Sequence, residues 1–236
     1  MPPKIKVSKD GPYLVSGNLP LDKQIIMGDE TGIPAKYQQG EKYPDHENCS
    51  LFRCGATKKQ PFCDGSHVAV KFDGTETSGN KPYMKMAETT HGPNLDLTDA
   101  EELCALARFC DRGETVWTLT EKSDKPANKK LAIEEACQCP AGRLVAWEKM
   151  SGKPIEPAFP PSLSVIEDAA LKVSGPLWVK GNVPIEGADG TCYEVRNRVT
   201  LCRCGRSENK PFCDGSHTEI EFDDGDSAIN GHKHKK

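Results

Sequence analysis

The sequence predicts an α+β, β-rich fold in which two small repeats flank a small helical middle domain. A cysteine- and histidine-bearing stretch occurs twice at fixed spacing, and so does an upstream strand signature. The 236 residues include 21 glycines and 18 prolines and are only 36% hydrophobic, a profile of short strands, many turns and weak cores that metal centres can staple. The expected domains are 1–90, 91–170 and 171–236.

The second repeat carries the fuller stretch: Cys202-Arg203-Cys204, then Pro211-Phe212-Cys213-Asp214-Gly215-Ser216-His217. Two cysteines separated by one residue cannot close a disulfide without severe strain, and a bridge from either to Cys213 would leave an odd thiol beside a histidine. Ligation uses all four groups, and three thiolates with one imidazole suit either zinc or an iron–sulfur centre. The Cys-x-Cys pair does not fit the zinc finger that reads RNA, and a net charge of −4 offers no general surface for phosphate, so no nucleic-acid partner is expected. The first repeat matches from Cys54 through Pro61-Phe62-Cys63-Asp64-Gly65-Ser66-His67 at an offset of 150 residues, without a gap.

This pattern resembles the CDGSH iron–sulfur (NEET) family, C-x-C-x2-[S/T]-x3-P-x-C-D-G-[S/A/T]-H, and the second copy meets every position. The resemblance implies a [2Fe-2S] cluster on Cys202, Cys204, Cys213 and His217 and a second on Cys54, Cys63 and His67, two per chain. Relatives form two-fold dimers, so a chain with two copies is expected to build the pair internally as a pseudo-dimer and to remain a monomer. The function implied is electron transfer or cluster transfer, with redox or cluster-acceptor proteins as partners. A redox or iron sensor signalling through cluster loss, and a structural zinc protein, are the alternatives. No nucleophile–base constellation or Gly-rich nucleotide loop suggests an enzyme. His217 is expected to ligate through one ring nitrogen and to turn the other to solvent or to a supporting partner.

The first copy departs from the pattern, because the position equivalent to Cys202 is Phe52. Cys49 lies three residues earlier, an odd spacing that puts it on the opposite strand face unless a bulge intervenes. Because Cys54, Cys63 and His67 are kept, we expect such a bulge and Cys49 as the missing ligand.

Residues 1–10 read as a polar arm before a strand within Gly11–Leu21, whose counterpart is Gly175–Ile185. Fourteen extra residues in the first copy suggest a longer loop over 29–47. Strands are expected at 192–201 and, after each histidine, at 68–72 and 218–222, with a short helical turn at each Asp-Gly-Ser. Residues 73–97 and 154–161 read as linkers. A capping box at Thr98–Glu101 predicts a helix to Cys110, followed by a helix over 126–137 and a strand at 145–147. The tail with His232 and His234 reads as a solvated terminus.

The middle segment is similar to divergent single-cluster ferredoxin-like domains at Cys104, Cys110 and Cys139, with Cys137 as a fourth candidate. On a helix, Cys104 and Cys110 would lie about 120° apart around the axis. The spacing therefore favours buried, hydrophobe-like cysteines over a third cluster on Cys104, Cys110, Cys137 and Cys139. No signal peptide or run of roughly 20 apolar residues is present, so a reducing, cytoplasmic setting without a membrane anchor is expected.

Overall fold

The computed structural model describes residues 2–230, and the histidine-bearing tail lies outside the described residues. The first repeat contains β1 (Lys4–Val7), β2 (Tyr13–Ser16), β3 (Leu21–Gly28), β4 (Pro34–Lys42), β5 (Asn48–Leu51) and the helical turn α1 (Ser66–Ala69). The middle region contains α2 (Tyr83–Met86), β6 (Glu88–His91), β7 (Leu95–Asp99), α3 (Val116–Glu121), α4 (Pro126–Gln138), β8 (Leu144–Glu148) and β9 (Pro154–Ile155). The second repeat contains β10 (Ser162–Asp168), β11 (Val173–Lys180), β12 (Ile185–Glu186), β13 (Arg198–Leu201), α5 (Ser216–Glu219) and α6 (Ser227–Asn230).

The repeats exchange strands. β3 leaves the first repeat and pairs in parallel with β10, Leu21 opposite Leu163, in the sheet β13-β11-β10-β3-β4. Reciprocally, β12 pairs in parallel with β1, Ile185 opposite Ile5, in the sheet β12-β1-β2-β5. Alternation explains why these strands pack inward: Ile5 and Val7 are buried, whereas Lys4 and Lys6 reach out to Glu186 at 2.8 Å. One apolar core then forms from both copies, with Ile5, Tyr13 and Leu51 beside Leu163, Leu177 and Leu201. The expected intramolecular pseudo-dimer is therefore present, and its core belongs to neither repeat alone.

β6, β7, β8 and β9 form a separate antiparallel sheet, covered by α3 and α4 through Leu95, Leu97, Val116, Leu119, Ala132 and Ala136. The helix expected over 126–137 and the strand over 145–147 are both found. Other expectations are corrected. The supposed arm contains β1, and the supposed loop over 29–47 is largely the β3–β4 hairpin extending the second sheet. Only Arg198–Leu201 of the 192–201 segment is a strand. The residues after each histidine form helical turns rather than strands, each followed by a left-handed residue, Lys71 and Glu221. The 98–110 helix is absent: Asp99 is held in β7, its carboxylate bound by Arg143 at 2.5 and 2.8 Å, and only Glu101–Leu103 makes a 3-10 turn. Leu106 and Arg108 have φ of 49° and 60°, incompatible with a continuing helix. Residues 162–168, assigned to the middle domain from sequence, belong by pairing to the second repeat's sheet. Among the described residues no helix is long and apolar enough to cross a membrane.

Candidate metal centres

The second centre starts where β13 ends. Leu201 bridges to Phe212, which brings Cys202 and Cys204 beside Cys213. The sulfurs of Cys202 and Cys204 lie 3.8 Å apart, and Cys213 Sγ is 3.4 Å from His217 Nδ1. All four side chains are buried, His217 at 5% exposure, so of the two expectations for its second ring nitrogen, solvent or a supporting partner, the solvent-facing one is not met. Gly215, with φ of 91°, supplies the left-handed residue that starts α5 and aims His217 back at Cys213. Asp214 fixes this turn by accepting from Ser216 N at 3.0 Å and Glu208 N at 2.7 Å, while the Ser207 hydroxyl donates to Phe212 O at 2.7 Å.

The electrostatics are mixed: Cys202 is held down, whereas Cys204 is pushed up and burial pushes the Cys213 thiol well up, so a bound metal must displace the protons of those two. Arg206 N–H points at Cys204 Sγ at 3.5 Å, and backbone N–H groups of Ser207 and Gly205 face Cys202. A hydrogen bond from Cys204 pushes the Cys202 thiol down, and the same bond pushes Cys204 up. Burial, then the nearby Arg203 guanidinium, holds the His217 imidazole down at about 4, so the ring is neutral and able to donate its lone pair. Three buried thiols and a neutral imidazole whose Nδ1 meets only sulfur form a donor set that fits a soft metal centre. Arg203, between two candidate ligands, is itself buried: it pairs with Glu167 at 2.6 Å and with Asp224, donates to Gly175 O at 2.8 Å, and stacks near Phe52 and Phe222. Sequence reasoning missed this network, although the repeat of Arg203 as Arg53 was a visible signal.

The first centre uses the same scaffold with fewer donors. Cys63 Sγ is 3.3 Å from His67 Nδ1; Asp64 accepts from Lys58 N and Ser66 N at 2.9 and 3.0 Å; Thr57 replaces Ser207 in donating to Phe62 O at 2.7 Å. Bonds from Ser66 and Lys58 hold the Asp64 carboxyl well below the usual carboxylate range. Phe52 fills the place of the missing thiol, buried in one apolar cluster with Cys202, Cys204 and Phe222, against which Cys63 packs. Cys49 does not join. β5 pairs with β2 in unbroken register, Cys49 opposite Val15, so the expected bulge is absent and the odd spacing leaves Cys49 on the main core. The structure thus brings together Cys54, Cys63 and His67, all only half-buried.

The two centres abut. A Cβ on Gly55, whose φ is 74°, would lie 2.5 Å from Cys204 O, and one on Gly205 would lie 3.0 Å from the Cys54 carbonyl. The turns cross at bare backbone, and beside them Cys54, Cys204, Lys71, Arg206 and Lys210 line an open groove of about 590 Å³. Tyr13 of the first repeat ties the same region by donating to Cys202 O at 2.7 Å and Pro211 O at 3.1 Å.

In the middle region Cys104, Cys110 and Cys139 surround a cavity of about 20 Å³ that Arg143 also lines. Burial, then Cys139 and Cys104, pushes the Cys110 thiol up to about 12. Cys137 turns away, its Sγ 3.6 Å from Ile155 O, so the four-cysteine set that the sequence spacing disfavours reduces to three neighbouring cysteines. What defeated the helical reading, the left-handed turns at Leu106 and Arg108, is also what lets Cys104 and Cys110 converge.

Two family models match. The one described as iron-binding zinc finger CDGSH type matches residues 10–68 and 174–218, and the one described as divergent 4Fe-4S mono-cluster matches residues 90–149. No curated protein and no solved structure matches the chain. Both models fall on the cysteine groups built above, so this is an iron–sulfur cluster-binding protein. The chain therefore carries two regions of the iron-binding CDGSH type with a divergent 4Fe-4S domain between them, the arrangement of the tandem CDGSH form.

Proposed function

We propose that the protein is a monomeric, non-enzymatic carrier of [2Fe-2S] clusters that both exchanges electrons and donates a cluster to acceptor proteins in the cytoplasm. The observation that carries this reading is the inequality of the twin centres. Cys202, Cys204, Cys213 and His217 offer four buried donors, whereas Cys54, Cys63 and His67 offer three half-exposed ones with Phe52 in the fourth place. When bound, the cluster supplies reversible one-electron chemistry. The buried set, wrapped by backbone N–H groups and Arg203, excludes water and retains its cluster through redox cycles. The half-exposed set leaves one coordination position without a protein thiolate, where an acceptor's cysteine can enter, and the cluster there is cargo. The groove beside both turns gives such a partner access, with Lys71, Arg206 and Lys210 favouring an acidic surface.

Anaerobic incubation of the loaded protein with an apo-ferredoxin tests this. One of the two CDGSH clusters is expected to move to the acceptor, and the other to stay and remain reversibly reducible by dithionite. Complete retention of both clusters with full reversibility would reduce the function to electron transfer alone. Loss of both on oxidation, with no acceptor gaining iron, would favour a sensor.

A further inference from the structure

The second centre is enclosed from two sides by unlike neighbours. On one side the first repeat's Cys54–Gly55 turn crosses the Cys204–Gly205 turn. On the other, the 104–110 loop of the middle region lies directly on the Cys213–Gly215 turn. A Cβ on Gly215 would stand 2.6 Å from Leu106 Cγ and 3.4 Å from Cys104 O. Cys213 shares one apolar cluster with Ala105 and Ala141, and Cys139 packs against it. Arg108 clamps the loop to the second repeat through both oxygens of Asp168, at 2.7 and 3.4 Å, and Asn209 reaches Glu102 O at 2.8 Å. Candidate ligands of the middle group and of the second centre therefore meet through packed side chains and backbone, with Leu106, 39% exposed, at the outer edge of the contact. The equivalent turn of the first repeat has no such cover: a Cβ on Gly65 would meet nothing within 4 Å.

We propose that the second centre is an internal relay, exchanging single electrons with an iron–sulfur centre on Cys104, Cys110 and Cys139 across the Leu106–Gly215 contact. The proposal rests on the reading that both groups hold iron–sulfur clusters. In each step one electron leaves the reduced middle cluster, which is oxidised by one unit, and reduces the cluster on Cys202, Cys204, Cys213 and His217 by one; no bond forms or breaks and no proton moves. Packed side chains and backbone in place of water minimise the reorganisation that accompanies such a transfer.

The test is electron paramagnetic resonance of the full, reconstituted chain reduced by dithionite, with iron counted in parallel. In the wild type the signal of the second centre should be broadened and saturate only at high microwave power, because a second paramagnet lies close by. Cys110→Ser, which removes a middle ligand outside the Cys213 cluster, should lower the iron content and let the second signal sharpen and saturate at several-fold lower power. Should that variant not fold, Cys202→Ser gives the reciprocal reading, a sharpened middle signal. On mixing with limiting dithionite and freezing at successive times, the wild type should distribute the electron between the two centres in one phase, and Leu106→Asp should split it into two. Iron that falls in Cys110→Ser with unchanged saturation would overturn the relay alone. Iron that does not fall would overturn the reading of the middle centre, and the relay with it.

Discussion

Phe52 decides how the first centre differs from the second, because a buried ring stands where the repeat pattern calls for a thiolate. Phe52→Cys is expected to raise the iron retained through gel filtration with a chelator, and Cys49→Ser to leave it at the wild-type value. Iron lost in Cys49→Ser would contradict the placement of Cys49 on the main core. Glu135 offers a separate test in the middle domain. Its side chain is fully buried, Oε1 accepts from Arg112 N at 3.2 Å, Oε2 has no partner, and burial raises the carboxyl to about 7. A raised acid is bound by a proton in the folded state first, so its stability contribution is intact below about 4.5 and is lost as pH rises to about 7. Glu135→Gln should therefore gain up to about 3 kcal/mol at pH 8 and nothing at pH 4 by urea denaturation; an equal effect at both pH values would contradict the buried-acid account. At this scale the sequence was most readable where chemistry is local: Cys204, Cys213 and His217 are identified by type and spacing. The Arg203 network was not, because Glu167 and Asp224 come from distant elements that only the folded chain brings to it.

Short elements cross closely around the centres, and glycine permits it. Gly55 adopts φ of 74° with Cys204 O in the path of any Cβ, whereas Gly152 adopts φ of 63° with nothing within 4 Å. Both substitutions to alanine incur the left-handed backbone cost of roughly 1 kcal/mol, but Gly55→Ala must also push two ligand turns apart. Thermal unfolding should show Gly55→Ala losing at least about 2 kcal/mol more than Gly152→Ala, with iron lost from both CDGSH centres. Equal losses would mean that the turns do not depend on their crossing. Among the elements legible in the sequence were α4, opened by Pro126 in its first turn, and β8. The 98–110 segment misled because its capping box is a local signal and β7 pairing with β8 outweighs it: Thr98 lies opposite Val145, and its hydroxyl accepts from Trp147 Nε1 at 2.8 Å instead of capping a helix. Likewise, nothing local in residues 21–42 reveals that β3 serves the other repeat's sheet.

The whole molecule is one strand-exchanged body, since Leu21 and Ile185 each complete the partner repeat's sheet and a single core spans both. Neither repeat closes its core alone, so unfolding of the two CDGSH units should be a single transition, and sedimentation at low micromolar concentration should give a monomer. An obligate dimer would show that the pair is made between chains. The twofold plan was readable from the repeat, but the inequality it hides depends on burial: the middle domain covers one centre and leaves the other open. The most direct measurement of that claim is the time course of iron release to a mild chelator, with iron and acid-labile sulfide counted on the same sample. The account predicts separate phases for the CDGSH iron, a fast one missing from Cys54→Ser and a slow one missing from Cys202→Ser. A single phase for both centres, or a fast phase that disappears in Cys202→Ser, would contradict it.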